Sequence, residues 1–159
     1  MEQTELTIRL VEAGDCRLLW EWVNEPETRR QSFSPRPIPW EEHCQWFEAR
    51  LTDPYCYIYI VMNSRKEPLA QIRFEVRDGE GVVSVSVAKA SRGQGVGTGA
   101  LRLAMKQCAA DSSLKRFHAY IRPDNIASLR AFDRIGFRFV ANEEIRGQAA
   151  VHTIMEIES

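Results

Sequence analysis

Val85-Ser86-Val87-Ala88-Lys89-Ala90-Ser91-Arg92-Gly93-Gln94-Gly95-Val96-Gly97-Thr98-Gly99 carries more structural information than any other stretch of this chain. Valine alternating with serine predicts a strand over Val82 to Val87 with one apolar and one small polar face. Glycines at 93, 95, 97 and 99 then let the backbone turn. A helix is predicted to follow and to reach about Ala110. The first amides of a helix lack partners within it and carry the positive end of its dipole. An anion can sit on such amides, glycines let it come close, and Arg92 can add a charge-assisted contact.

Several readings fit such a loop. A P-loop needs Gly-Lys-Ser/Thr at its end, and Gly97-Thr98-Gly99 does not supply it. Gly95, Gly97 and Ala100 satisfy the dinucleotide pattern G-x-G-x-x-A. However, the loop follows a run of antiparallel-looking strands, and a single βαβ unit is too little for a doubly wound domain. Arg92, Gly95 and Gly97 also satisfy Arg-x-x-Gly-x-Gly. A glycine-rich turn with no ligand is the plain alternative.

Working outward, Thr7 to Val11 reads as a first strand, and Glu12 to Asn24 has apolar residues at helical spacing. Pro26 should stop that helix, and Pro26 to Pro39 reads as an irregular loop. Pro39 is placed to open a second helix running to about Leu51. Strands are predicted over Tyr55 to Met62 and Leu69 to Val76, with Asp78-Gly79 as a hairpin turn. Lys115 to Ile121 is a strand, Asn125 to Ile135 a helix stopped by Gly136, and Phe137 to Val140 and Val151 to Ile157 the last strands. The order β-α-α-β-β-β-α-β-α-β-β predicts one α+β, or mixed α/β, domain over residues 1–159.

The 159 residues are 44% hydrophobic and 27% charged, enough for a real core. Lys and Arg total 21 against 22 Asp and Glu, so the basic excess of a nucleic-acid binder is absent. Met1 to Glu5 is polar, with no basic and apolar leader, and Ile58 to Met62 is far too short to span a membrane. A cytoplasmic location, with no membrane or nucleic-acid partner, is the expectation. Cys16, Cys44, Cys56 and Cys108 form no CxxC pair, so they are expected as free thiols and no metal site is predicted.

Arg92-Gly93-Gln94-Gly95-Val96-Gly97 resembles the acetyl-CoA pyrophosphate loop of the GNAT superfamily of N-acetyltransferases. Asn125-Ile-Ala-Ser128-Leu-Arg-Ala-Phe132-Asp-Arg-Ile-Gly136-Phe137 resembles the second signature of that family. The resemblance covers roughly Thr7 to Ile157. It implies a GNAT-like fold, with a mostly antiparallel twisted sheet of about seven strands flanked by four helices. It also implies direct acetyl transfer from acetyl-CoA to a primary amine on a small molecule. The backbone of Val85 and Val87 would flank the pantetheine arm. Gly93, Gln94, Gly95, Val96, Gly97 and Thr98 would hold the pyrophosphate, with Arg92 near a phosphate. Asn125, Ser128 and Phe132 would complete the cofactor site; Asn125 also reads as a helix N-cap. A homodimer is a candidate assembly on which the sequence is silent.

In many members a tyrosine of the second signature protonates the leaving thiolate. Phe132 stands there and has no proton to give. Tyr120 is the substitute candidate, sharing a strand face with His118. Candidate bases are Glu75, His43 and His118, with Glu75 ranked first because alternation puts Arg73, Glu75 and Arg77 on one polar face. A GNAT domain that binds acyl-CoA without turnover is the alternative that Phe132 keeps open.

The acceptor side reads Trp22-x-Asn24-x-Pro26-x-x-Arg29 and Glu41-x-His43-x-x-Trp46-Phe47. These elements resemble acetyltransferases that modify the 4-amino group of nucleotide-linked amino sugars, as in pseudaminic acid biosynthesis. Trp22, Asn24, Arg29 and Trp46 are the substrate-binding candidates on that resemblance. Ribosomal-protein N-terminal acetyltransferases share some of these features. Packing of Trp22 and Trp46 into the core is the competing reading.

Overall fold

The computed structural model describes residues 5–92 and 95–157. Among the described residues it has a seven-stranded sheet in the order β1-β2-β3-β4-β5-β7-β6. The strands are β1 (Thr7–Leu10), β2 (Cys56–Met62), β3 (Pro68–Arg77), β4 (Glu80–Val87), β5 (Arg116–Ile121), β6 (Arg138–Ile145) and β7 (Gln148–Glu156). Every neighbouring pair is antiparallel except β4 and β5. The helices are α1 (Cys16–Val23), α2 (Pro26–Arg30), α3 (Trp40–Leu51), α4 (Val96–Asp111) and α5 (Ile126–Ile135). This mixed α+β architecture is the predicted one.

Strand alternation sorts the side chains between two layers. Ile72, Phe74 and Val76 of β3 and Phe117, Ala119 and Ile121 of β5 face the main core. That core also takes Ala100, Leu101, Ala104 and Cys108 of α4 and Phe132 of α5. On the other face, Ile58 and Ile60 of β2 pack against Leu19 of α1 and Phe47 of α3. Arg73 and Glu75 share this second face with Ser84 and Val82, their register partners on β4. His118 and Tyr120 of β5 share it too, because their neighbours Phe117, Ala119 and Ile121 point the opposite way.

Several boundaries differ from the sequence reading, each for a local reason. The first helix is shorter than predicted: Ala13–Asp15 forms a 3-10 turn, and α1 proper starts at Cys16. Asp15 accepts from the Glu12 amide at 2.8 Å and pairs with Arg9 at 2.7 Å, which fixes that entrance. The first helix ends at Val23, ahead of Pro26 as expected, but the stretch from Pro26 is not all loop: Pro26 also opens a helix, α2, at the first position where its missing N–H costs nothing. The last two strands run longer than predicted and join at Arg146-Gly147, whose φ values of 51° and 79° define a tight hairpin turn. Asp78-Gly79, the predicted hairpin, has φ values of 53° and 80°.

Phe74 is fully buried and meets Tyr59 and Phe117 at ring-centroid distances of 6.0 and 5.7 Å. Phe74→Ala is expected to cost about 3–5 kcal/mol by loss of buried area and creation of a cavity. Chemical denaturation of the variant beside the parent protein measures it.

Candidate active site

The ladder between β4 and β5 is short. It pairs Glu80 with Arg116, Gly81 with Phe117 and Val82 with His118, and stops there. From Val83 to Val87 the edge of β4 has no strand partner on that side among the described residues. Two parallel strands that separate after three pairs leave a wedge between them, lined by unpaired backbone groups that an extended ligand can satisfy. Val85 and Val87, the predicted pantetheine-flanking residues, stand on this open edge.

α4 begins where the wedge opens. Gly95 precedes it in the left-handed region, φ 76°, and a side chain built there would meet nothing within 4 Å. The first bond inside this turn runs from the Gly99 amide to the Gly95 carbonyl at 3.4 Å. The amides of Val96, Gly97 and Thr98 therefore have no acceptor within the helix. A left-handed glycine, open space and amides with no acceptor among the described residues, at a positive dipole end, form a cradle that fits a diphosphate. Gly93 and Gln94, two of the predicted cradle residues, lie outside the described residues.

Other predicted cofactor residues are placed as follows. Asn125 caps α5, its Oδ1 accepting from the Ser128 amide at 3.3 Å. Phe132 is buried in the main core, edge-on to Phe137 at 4.9 Å. Arg92 is turned toward α2: it pairs with Glu25 at 2.8 Å and donates to Thr28 Oγ1 at 2.9 Å and the Val87 carbonyl at 3.2 Å. Burial opposes ionisation of Glu25, but the Arg92 contact and the Thr28 amide outweigh it and hold its carboxyl below the usual range.

The acceptor-side candidates are mostly engaged in holding the loop between α1 and α3. Asn24 accepts from the Ile38 amide at 2.7 Å and donates to the Ile38 carbonyl at 3.0 Å. Arg29 donates to the carbonyls of Val23, at 2.5 Å, and Ser34, at 2.8 Å. Trp22 and Trp46 pack against the smaller core, and guanidinium groups of Arg50 and Arg73 lie 5.6 and 5.0 Å from the Trp46 ring centre. His43 is buried between α1 and α3, with Nε2 at 2.9 Å from the Cys16 carbonyl. Burial pulls its imidazole below the ordinary value, so it stays neutral.

Glu75 and Tyr120 do come to one face. Tyr120 is the first β5 residue on the α1/α3 side beyond the last β4 pair. Burial raises its phenol above the ordinary value, and the Glu143 carboxylate adds to the shift, so it keeps its proton at neutral pH. Glu75 lines an open cavity of about 440 Å³ with Arg50, Asp53, Tyr55, Arg77, Glu80 and Val82. Its carboxylate pairs with Arg50 at 3.2 Å. Arg77 lies over the Tyr55 ring at 4.6 Å and has no carboxylate partner among the described residues.

Sequence reasoning did not find Glu80, Glu143 or His152. Glu80 Oε1 lies 3.1 Å from His118 Nε2, and His118 Nδ1 lies 2.8 Å from His152 Nε2. His152 Nδ1 in turn lies 2.5 Å from Glu143 Oε2. The Tyr120 ring stacks on His152 at 4.4 Å. The one available signal was alternation in Val151-His152-Thr153, which puts a histidine opposite Tyr120 only once the β5/β7 register is known.

The sequence matches the acetyltransferase (GNAT) domain family over residues 5–138, most of its length, and the chain belongs to that family. It is an acyltransferase, and acetyl-CoA is its donor. The fold is similar to spermidine N-acetyltransferase from Vibrio cholerae in complex with CoA and spermine, with 17% identity and a TM-score of 0.85 over 95% of each chain. It is also similar to an aminoglycoside acetyltransferase in complex with coenzyme A, with 18% identity and a TM-score of 0.81 over 96% of this chain and 95% of that one. At these identities the likeness speaks for the fold. A search of curated proteins found no match. No described helix is long and apolar enough to cross a membrane.

When bound, acetyl-CoA supplies an acyl group on a thiol leaving group. Gly95→Val would project a branched side chain into the open cradle and strain a left-handed backbone position. Acetyl-CoA affinity is expected to fall tenfold or more, with a loss of about 1–2 kcal/mol in stability. Titration calorimetry and thermal unfolding separate the two effects.

Proposed function

We propose that the chain transfers acetyl directly to the primary amine of a nucleotide-linked amino sugar, its 4-amino group being the favoured position. The observation that carries this is the cavity on the α1/α3 face. It combines two guanidinium groups, Arg50 and Arg77, an exposed aromatic ring, Tyr55, and the carboxylates Asp53, Glu75 and Glu80. A guanidinium without an ion-pair partner suits a diphosphate, an aromatic face suits a base, and carboxylates suit an amine and sugar hydroxyls. This supports the acceptor class read from the Trp22 and Trp46 region while moving the recognition surface away from it. Asn24 and Arg29 then serve by shaping the loop beside the cavity.

The chemistry divides among residues on one face. Glu75 and Glu80 accept hydrogen bonds from the incoming ammonium and orient it. Val82, the last β4 residue paired with β5, lines the same cavity, so the amine is held at the closed end of the wedge. Tyr120 gives its phenolic proton to the departing thiolate, the task for which Phe132 has no group. Amide nitrogen gains the acetyl carbon, the carbon–sulfur bond breaks, and two protons leave the ammonium over the whole reaction while the thiolate gains one.

A thiol-release assay with a panel of amines tests the acceptor. A nucleotide-linked 4-amino sugar is expected to give the highest kcat/KM, ahead of free amino sugars, polyamines and peptide N-termini. Highest turnover with a peptide N-terminus would favour the ribosomal-protein type instead. Arg77→Ala is expected to raise KM for the nucleotide-linked acceptor about tenfold, the worth of one charge-assisted contact.

Tyr120→Phe is expected to lower kcat about 10²-fold with acetyl-CoA affinity near normal. A phenol whose value is raised stays protonated until the pH passes that raised value. The deficit should therefore be similar at every pH between about 6 and 9, which a kcat–pH profile of both proteins checks. Wild-type turnover in the variant removes Tyr120 from the mechanism.

A further inference from the structure

We propose that His118 and His152 form a two-imidazole relay that carries the proton shed by the acceptor from Glu80, in the cavity, to Glu143, on the outer strand β6. The inference rests on the reading of the chain as an N-acetyltransferase whose amine enters beside Glu80.

Four strands supply the four groups: β4 gives Glu80, β5 His118, β7 His152 and β6 Glu143. The imidazoles are largely covered, their side chains 16% and 13% exposed, while the carboxylates at the ends are 42% and 40% exposed. The chain is therefore dry in the middle and wet at both ends. One end opens into the proposed acceptor cavity and the other does not line it.

Counting protons shows why this differs from an ordinary ion pair. The three contacts, at 3.1, 2.8 and 2.5 Å, need three protons to be hydrogen bonds. Two neutral imidazoles bring only two. With both carboxylates ionised, one contact must be two lone pairs facing each other, or the histidine pair must hold one extra proton. The array thus has a vacancy that one proton fills.

With both rings protonated on Nδ1, the vacancy lies between Glu80 and His118. A proton passed from the ammonium to Glu80 moves to His118 Nε2. The His118 Nδ1 proton moves to His152 Nε2, and the His152 Nδ1 proton moves to Glu143 and on to water. One N–H bond of the ammonium breaks, one proton appears in solvent, and nothing is oxidised or reduced. The rings regain their starting tautomers by exchange. A metal-free route of this kind asks only that each hop be about 3 Å, the length of a hydrogen bond.

Other charges face the array from the surrounding strands. Arg116 contacts Glu80 at 3.3 Å and Glu156 at 3.7 Å, and Arg138 contacts Glu156 at 3.1 Å. Tyr120 covers the His152 ring, and Arg50, Asp53, Glu75 and Arg77 surround the Glu80 end through the cavity.

Side-chain nitrogen NMR on the free wild-type protein tests the shared proton without any acceptor. The His118 and His152 resonances are expected to move together with one midpoint, and Glu143→Gln is expected to displace both. Independent titration of the two rings overturns the relay. In the thiol-release assay, His118→Gln and His152→Gln are each expected to lower kcat about 10²-fold and to flatten its pH profile, with acetyl-CoA affinity within about twofold. A His152→Gln protein that keeps both the rate and the pH profile of the parent defeats the relay alone. A wild-type protein that acetylates no amine defeats the transferase reading, and with it the relay's role.

Discussion

Everything at the candidate site follows from the early end of the β4–β5 ladder. Three residue pairs hold the strands together, and a tight set of contacts clamps that end. The amides of Lys115 and Arg116 both donate to the Gly79 carbonyl, at 2.7 and 3.1 Å, and Leu114 packs so closely on Gly81 that a Cβ there would fall 2.5 Å from it. Beyond Val82 nothing comparable joins the strands among the described residues. β4 continues along β3 toward α4, while β5 stays with β7, to which it is paired along its whole length. Separation at this point exposes strand edge and leaves His118 and Tyr120 at the apex. A longer ladder would satisfy the backbone and abolish the site.

The end of β4 and the start of α2 are tied together through Arg92. Its guanidinium spans the Val87 carbonyl, Glu25 and Thr28, joining the end of β4 to the start of α2. These are charge-assisted contacts on partly covered groups, stronger than exposed pairs because water competes less. The residue that the family pattern assigns to phosphate is thus also a structural bolt between two halves of the site.

The fold was legible from the sequence wherever a local rule acts alone. Alternation in Leu69 to Val76 assigned both faces of β3, and Asp78-Gly79 announced its hairpin. Asn125 and Gly136 bounded α5 by capping. α2 is not legible, because a proline that ends one helix can also open the next, as Pro26 does. The cradle was legible because glycine at a left-handed position leaves a compositional mark. The Glu80, His118, His152 and Glu143 array was not, because its members lie on four strands, with Glu80 and Glu143 63 positions apart, and only strand register brings them together. A bulge between Phe139 and Ala141 shifts β6 against β7, and no sequence pattern announces the face on which Glu143 then falls.

The polar groups of Asn24 and Arg29 are committed to backbone atoms of residues 23 to 38. Burial of Arg29 lowers its pKa, the mark of a cation held by carbonyls rather than by a carboxylate. On the same sheet face Arg77 lies over Tyr55, beside carboxylates that pair with Arg50 and Arg116. A loop built from internally satisfied groups is stiff before any ligand arrives, so the cavity it borders needs little reorganisation to receive one.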